Sequence, residues 1–518
     1  CSSRCQDVVS IRLYTTQHIN VAEGIIVFRI NTVPKTPSFF MFRPYIHIVR
    51  PLGSLKNQYS QKLHYIPFCL KAKSFRRKSF GNNPAQITTW LIREVTSNRK
   101  SDNMGPSLLS TNGPLDAAST EDIAREAFSR VISPCIIHVN LDSVAHNVRL
   151  LKRMAGPNTE LMGVVKGGAY GSGILPVVGV LKDEGCTHFA VATVGEGVYL
   201  RKHAITEKIT TLGNLVSCEI PAVLQYQLMP SVGWINCFST YNKDQLMYPD
   251  GTRLHVNINI DTGMSRFGVQ PEDLPELINN LENLQVGIHS IYTHLQSSIT
   301  EKDENQKQVD IYLKAIEPYK NRGIKFHVSA TTGCVQNLCT DLDYIRPGGA
   351  ITGLSSCSDR ESASRFAEYG FRPAFSVIAR PAFFKQLPAG RFVGYDGTYE
   401  TRGEEWLANI TTGWSDGLSR KLSNTGAVKR LLTGEKCPIV GRVSMDSIII
   451  KLPEAPNQDE LFKVITDDFD DETSAVGIGR MLGAAVYEVP GNWSTRLPRV
   501  YSHGGKVTQI CQALEYTN

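Results

Sequence analysis

Long apolar runs are missing from this chain. A membrane-spanning helix needs roughly 18–20 consecutive apolar residues; the best run, around 38–49, is interrupted by Arg43 and Pro44. A soluble protein is therefore expected. Paired cysteines are missing too. The 12 cysteines are scattered, none form Cys-x-x-Cys pairs and no His/Cys cluster has zinc spacing, so no metal site is expected. This usage suits a reducing compartment, and a cytoplasmic location is the first expectation. Compositional bias is absent as well: 42% hydrophobic and 20% charged residues describe a globular protein. At 518 residues the chain is too long for one ordinary domain.

Acidic residues are scarce in one region only. The first 100 residues carry 16 Lys and Arg against three Asp and Glu, so the remainder is net negative although the whole chain is +6. The body therefore offers no nucleic-acid surface. Residues 1–133 include a basic knot, Lys71-Ala-Lys-Ser-Phe-Arg-Arg-Lys78, and a Ser/Asn/Gly/Pro-rich stretch over 97–122 that reads as a linker. The extension is expected to be disordered. Two origins fit it: an organellar transit segment, giving a mitochondrial alternative, or upstream sequence ahead of a start at Met104.

From Pro134 a regular alternation begins. His138-Val-Asn-Leu141 is strand-like, and Asp142 is placed to cap a helix with Val144, Val148 and Leu151 on one face. Short apolar runs follow at 161–165, 188–193, 209–212, 234–238, 254–260, 287–292, 325–328 and 344–351, mostly separated by helical stretches. Such runs suit strands buried on both faces. The pattern predicts an α/β chain with a (β/α)8 TIM-type barrel over 134–368; a doubly wound sheet is the alternative. Beyond residue 369, strands and turns with little helix predict a mainly β domain over 369–518.

Reactive groups of such a barrel sit where strands end. Lys166 directly follows one predicted strand and opens a glycine-rich turn. A lone strand-end lysine is ordinarily solvated. However, the whole run Leu161-Met-Gly-Val-Val-Lys-Gly-Gly-Ala-Tyr-Gly-Ser-Gly173 closely resembles the cofactor-lysine motif of the alanine racemase family. That resemblance implies pyridoxal 5'-phosphate, joined to Lys166 as a Schiff base.

The likeness continues in order. Asp261-Thr-Gly-Met-Ser-Arg-Phe-Gly268 resembles the segment whose arginine, here Arg266, touches cofactor and substrate carboxylate. Tyr292-Thr-His294 matches the histidine that orients a catalytic tyrosine. His327 is matched as a brace for Arg346, Thr331 as a phosphate ligand, and Tyr344-Ile-Arg-Pro-Gly-Gly-Ala350 as the segment facing the pyridine nitrogen through Arg346. The amides of Gly348 and Gly349, with Tyr170, are implied phosphate contacts. In the β domain, Phe392-Val-Gly-Tyr-Asp-Gly-Thr-Tyr399 resembles the segment bearing the tyrosine, here Tyr395, and Met445 belongs to a substrate-side Met-Asp pair. The family precedent implies a homodimer with shared active sites. The resemblance covers about residues 134–518 and none of 1–133.

These residues suit two-base interconversion of L-alanine and D-alanine. Lys166 would serve one face and Tyr395 the other, although an unperturbed tyrosine ionises only near pH ~10 and needs cations close by. Arginine hardly gives up its proton, so Arg346 makes the cofactor a poorer electron sink than a carboxylate partner would. That favours return of the proton to Cα over transamination. Three positions depart from the family pattern: Asn259 for a carbamylated lysine, Trp414 for a tyrosine, and Thr495 for a tyrosine that narrows the pocket. Loss of that ring leads us to expect turnover of serine beside alanine. Two alternatives stay open: a pyridoxal-phosphate amino-acid decarboxylase of the same fold, and a non-catalytic paralogue.

Overall fold

The computed structural model describes residues 119–512 apart from 470, and the backbone of three earlier strands. Those strands, Ser10–Arg12, Ile25–Arg29 and Tyr45–Val49, form an antiparallel sheet in chain order. The basic knot at 71–78 and Met104 lie outside the described residues. Besides the strands, Thr120–Arg130 is a helix, closed at its start by a capping box between Ser119 and Asp122. Its Ile123, Ala124, Ala127 and Phe128 bury against Ile136, Ile378, Leu461 and Val500.

Eight parallel strands neighbour one another in chain order: Glu160–Val164, His188–Val191, Lys208–Asn214, Met229–Val232, His255–Asn259, Gly287–Tyr292, Lys325–His327 and Tyr344–Ile345. The last pairs with the first, Tyr344 beside Glu160. An Ala330–Arg346 bridge links the final two, closing the ring. Helices cover it outside. In Leu274–Asn283, for example, Leu274, Leu277, Ile278 and Leu281 recur at helical spacing and are buried.

One predicted strand is displaced. Residues 234–238 hold the 3-10 turn Ile235–Phe238, and the strand is Met229–Val232. Pro230 and Ser231 interrupt the apolar run that would have announced it. Pro230 also lacks an N–H for the ladder, and its pairing register slips between Thr211 and Asn214.

The β domain is not confined to the chain beyond 369. Its seven-stranded sheet runs Lys436–Pro438, Ala427–Arg430, Phe462–Ile465, Phe375–Ala379, Cys135–Asn140, Arg499–His503, Lys506–Cys511. Cys135–Asn140, expected to open the barrel, thus sits inside this sheet. The next helix, Leu141–Met154, is capped by Asn140, whose side chain accepts from the Ser143 amide at 3.1 Å. Asp142 instead accepts from the Gly504 amide at 2.8 Å. A second sheet joins Pro381–Leu387, Glu405–Ile410 and Ile448–Leu452. Among the described residues no helix is long and apolar enough to cross a membrane, and no group of three or more His, Cys, Asp or Glu could hold a metal ion.

Candidate active site

Lys166 begins a turn in an unusual conformation. Gly167, Gly168, Ala169 and Tyr170 all have positive φ, at 60°, 63°, 54° and 56°. The two glycines enter this region freely; Ala169 and Tyr170 are strained there. Hydrogen bonds hold the turn: Ala169 N to Val165 O at 2.9 Å, Gly171 N to Gly167 O at 3.0 Å, and Gly167 N to Glu196 Oε1 at 2.6 Å. Strain held in place by such bonds clusters at ligand-binding and active sites, which makes this turn a candidate. The Lys166 amine has a lowered pKa because burial disfavours its charge, with Arg266 and Arg346 adding to the effect and Glu196 opposing it. A lysine so placed supplies more neutral amine at ordinary pH than a solvated one.

Arg346 follows strand Tyr344–Ile345 and is fully enclosed. Its Nη1 donates to His327 Nδ1 at 2.8 Å; its Nη2 donates to Thr293 O at 2.6 Å and, at 3.3 Å, to His294 Nδ1. The guanidinium lies 4.9 Å over the Tyr292 ring, which stacks in parallel on His327. Burial, then the neighbouring Arg346, pushes the His294 pKa down to about 3 and the His327 pKa well below the usual range. Both imidazoles are therefore neutral acceptors toward a cation.

Thr331 Oγ1 accepts from the Gly348 and Ala350 amides, each at 3.3 Å. A side chain at Gly348 would strike the Tyr170 hydroxyl, and one at Gly349 the Tyr487 ring. Glycine is required at both positions by this close approach. The Tyr170 and Tyr487 rings themselves lie 5.1 Å apart. Arg266 sits on an exposed loop where Asp261 Oδ1 accepts from the Gly263 and Ser265 amides at 3.0 Å. Its charge is felt by Lys166, Tyr292 and His294. Asn259 donates to Phe267 O at 3.3 Å, so it holds the backbone beyond Arg266 rather than the guanidinium.

Seven sequence-predicted residues thus share one region of the barrel mouth: Lys166, Tyr170, Arg266, His294, His327, Thr331 and Arg346, with the Gly348–Gly349 backbone. Tyr395 and Met445 do not join them. Tyr395 is 68% exposed on a turn of the β domain, and Met445 is 49% exposed. Trp414 is also exposed, and Thr495 lies on an exposed turn. Sequence reasoning missed Glu196, Tyr292 as a platform, and Tyr487. Glu196 had a local signal, the Thr193-x-x-Glu capping box. Tyr487 had none, because it reaches the glycine loop from more than a hundred residues away.

Comparison with known proteins covers both the barrel and the β domain. The family profile "Alanine racemase, N-terminal domain" matches residues 139–356, and "Alanine racemase, C-terminal domain" matches 374–501. The chain is 30% identical to the alanine racemase of Halothermothrix orenii, over 72% of this chain and 98% of that protein. It is 31% identical to that of Streptococcus suis, over 71% and 98%. Among solved structures, alanine racemase from E. faecalis matches with TM-score 0.65 and 28% identity over 71% of this chain and 98% of that one. The Bartonella henselae alanine racemase "with covalently bound pyridoxal phosphate" matches with TM-score 0.62 and 25% identity, covering 71% and 100%.

Proposed function

The chain belongs to the alanine racemase family, and on that premise we propose that its two bases are Lys166 and the Tyr395 of a second copy. The protein is an isomerase that interconverts L-alanine and D-alanine.

The family depends on pyridoxal phosphate, and the residues present fit that group. A half-buried amine of lowered pKa, an enclosed guanidinium, and a hydroxyl among backbone amides converge on one mouth. Lys166 would hold the aldehyde, Arg346 would donate to the pyridine nitrogen, and Thr331, Tyr170 and the Gly348–Gly349 amides would receive the phosphate. Pyridoxal phosphate, when bound, supplies an electron sink that acidifies the substrate's Cα–H.

The chain's own groups do the rest. The Lys166 amine takes or returns a proton on one face of Cα. Arg266, exposed at the mouth, binds the substrate carboxylate. His294 accepts from Arg346 through Nδ1, so its proton is on Nε2, where it can donate to a phenolic oxygen from outside the barrel. Tyr395 serves the opposite face. Its exposure, away from its own barrel cluster, supports delivery from a neighbouring copy, with Met445 beside it on the substrate side. Arg346 keeps its proton at neutral pH, which favours return of the proton to Cα over transamination. Similarity to alanine racemases across both domains, with this arginine, favours racemisation over the decarboxylase alternative. Thr495 in place of a narrowing ring supports serine as a second substrate. The cytoplasm remains the proposed location.

The observation that carries the site assignment is the half-buried Lys166 amine opening the positive-φ turn at a strand end, with Arg266 and Arg346 near enough for their charges to help lower its pKa. Chiral chromatography of L-alanine incubated with the full chain and pyridoxal phosphate tests it: D-alanine forms with the wild type and not with Lys166→Ala. D-alanine formation surviving Lys166→Ala overturns the assignment, and none from the wild type revives the non-catalytic paralogue.

A further inference from the structure

Behind Arg346 the barrel interior holds polar side chains that the reaction does not touch. His327 Nε2 lies 3.0 Å from Ser290 Oγ, and Ser290 Oγ donates to Asn257 Oδ1 at 2.7 Å. Asn257 Nδ2 donates to Thr210 Oγ1 at 3.3 Å and to Met229 O at 3.1 Å. Thr210 Oγ1 in turn lies 2.9 Å from His188 Nε2. Five different barrel strands contribute these side chains, and each is at most 1% exposed. Branched apolar residues would ordinarily fill such an interior. Buried polar groups cost free energy unless paired, so this column has to be paired in a consistent sense.

The sense is set from the top. A guanidinium only donates, so His327 Nδ1 must accept and the single proton of the neutral ring lies on Nε2. That proton goes to Ser290, whose own hydroxyl hydrogen is committed to Asn257 Oδ1. The Asn257 amide cannot reverse without presenting N–H to the Ser290 hydroxyl and a carbonyl oxygen to Met229 O. We infer that Ser290 and Asn257 are positioning residues: they pair the Nε2–H that the guanidinium imposes on His327, and so hold the ring where its Nδ1 receives Arg346 and keeps it seated at the mouth. The column is not a proton wire, because the carboxamide accepts at oxygen and donates at nitrogen without passing a proton between them. Its effect on turnover rests on the role given above to Arg346; the pairing of His327 Nε2–H does not.

The test combines ¹⁵N NMR of the histidine-labelled full chain with alanine racemase kinetics. The His327 signals are those lost in His327→Asn. The wild type is expected to show the Nε2–H form alone. Ser290→Ala keeps that tautomer but leaves the Nε2–H unpaired, moving its ¹⁵N signal, and lowers kcat about tenfold, the factor that one unpaired buried donor represents, with KM within about twofold. Ser290→Thr, which keeps the hydroxyl, restores both. Should Ser290→Ala not fold, Thr210→Val, which leaves the Asn257 amide only its Met229 O partner, is expected to move the same signal in the same direction by a smaller amount. An unmoved Nε2 signal in the alanine variant overturns the inference, as does failure of threonine to rescue. A chain whose Nε2 signal moves on substitution, but whose wild type racemises nothing, fails the functional reading alone.

Discussion

The barrel mouth and the β-domain face solve opposite problems. In the barrel, Arg346 is 3% exposed, clasped by His327, His294 and the Thr293 carbonyl, and backed by an aromatic ring. Its geometry is complete within one chain. On the β domain, Tyr395, Phe392, Trp414 and Met445 stand exposed, and the Tyr395 turn is tied down by neighbours such as the Arg442–Asp396 ion pair. Groups that need exact surroundings are built in; groups that need to reach elsewhere are left out. Under the proposed pairing of two copies, one polypeptide prepares half a site twice, once as a socket and once as a key.

The largest expected effect breaks this contrast directly. Tyr395→Phe lowers racemisation by about 10²–10⁴-fold, the usual worth of a positioned acid–base group. Its melting temperature stays that of the wild type, because an exposed hydroxyl carries little stability. Mixing Lys166→Ala with Tyr395→Phe chains and allowing exchange then restores activity toward about a quarter of wild type, since mixed dimers own one intact site. No recovery would mean that both bases come from the same chain.

Substitution within the socket is expected to cost stability instead. Arg346→Met leaves His327 Nδ1 and Thr293 O without their donor, a loss of about 2–4 kcal/mol in urea unfolding. A stable, well-folded variant would show that the clasp is not what organises the mouth.

Acid sharpens the comparison further. His294 is pushed down to about 3 and His289 to about 4 in the barrel, while His138 in the β sheet falls to about 4, each through burial first. Unfolded histidine titrates near ~6.5, so below that pH the unfolded chain binds protons that the folded chain refuses. Stability is therefore full above pH ~6.5 and declines as pH falls, by about 1.4 kcal/mol per pH unit for each such histidine. Urea midpoints at pH 7 and pH 5 check the slope. His138→Asn should remove one histidine's share; an unchanged slope would mean that this ring is not held neutral.

The smallest effect concerns substrate range. L-serine turnover beside L-alanine is expected, and Thr495→Tyr should cut the serine share severalfold, about the 1 kcal/mol that one pocket group discriminates. Chiral chromatography of both products measures it, and turnover confined to alanine in the wild type would remove Thr495 from the account.

Much of the socket was legible because its signals are local. Lys166 follows a strand, His327 ends one, and Arg346 immediately follows another, each announced by a short apolar run. The misreadings share a different cause. Cys135–Asn140 looks like any buried strand, and only its partners, more than two hundred residues away, assign it to the β sheet. Met229–Val232 was hidden by a proline and a serine that the barrel accommodates with a register slip. Ser290, Asn257 and Thr210 read as unremarkable strand residues until the closed ring brings them together.

By itself the amino-acid order determined the alternation of strands and helices, the family boxes, and which side chains stand at strand ends. Periodicity and turn chemistry act over a few residues, so they can be read without the fold. Tertiary structure alone decided which strand belongs to which sheet, which imidazoles stay neutral, and which reactive groups are enclosed or offered outward. Those outcomes depend on desolvation and on hydrogen bonds between distant segments, and neither exists until the ring of strands has closed.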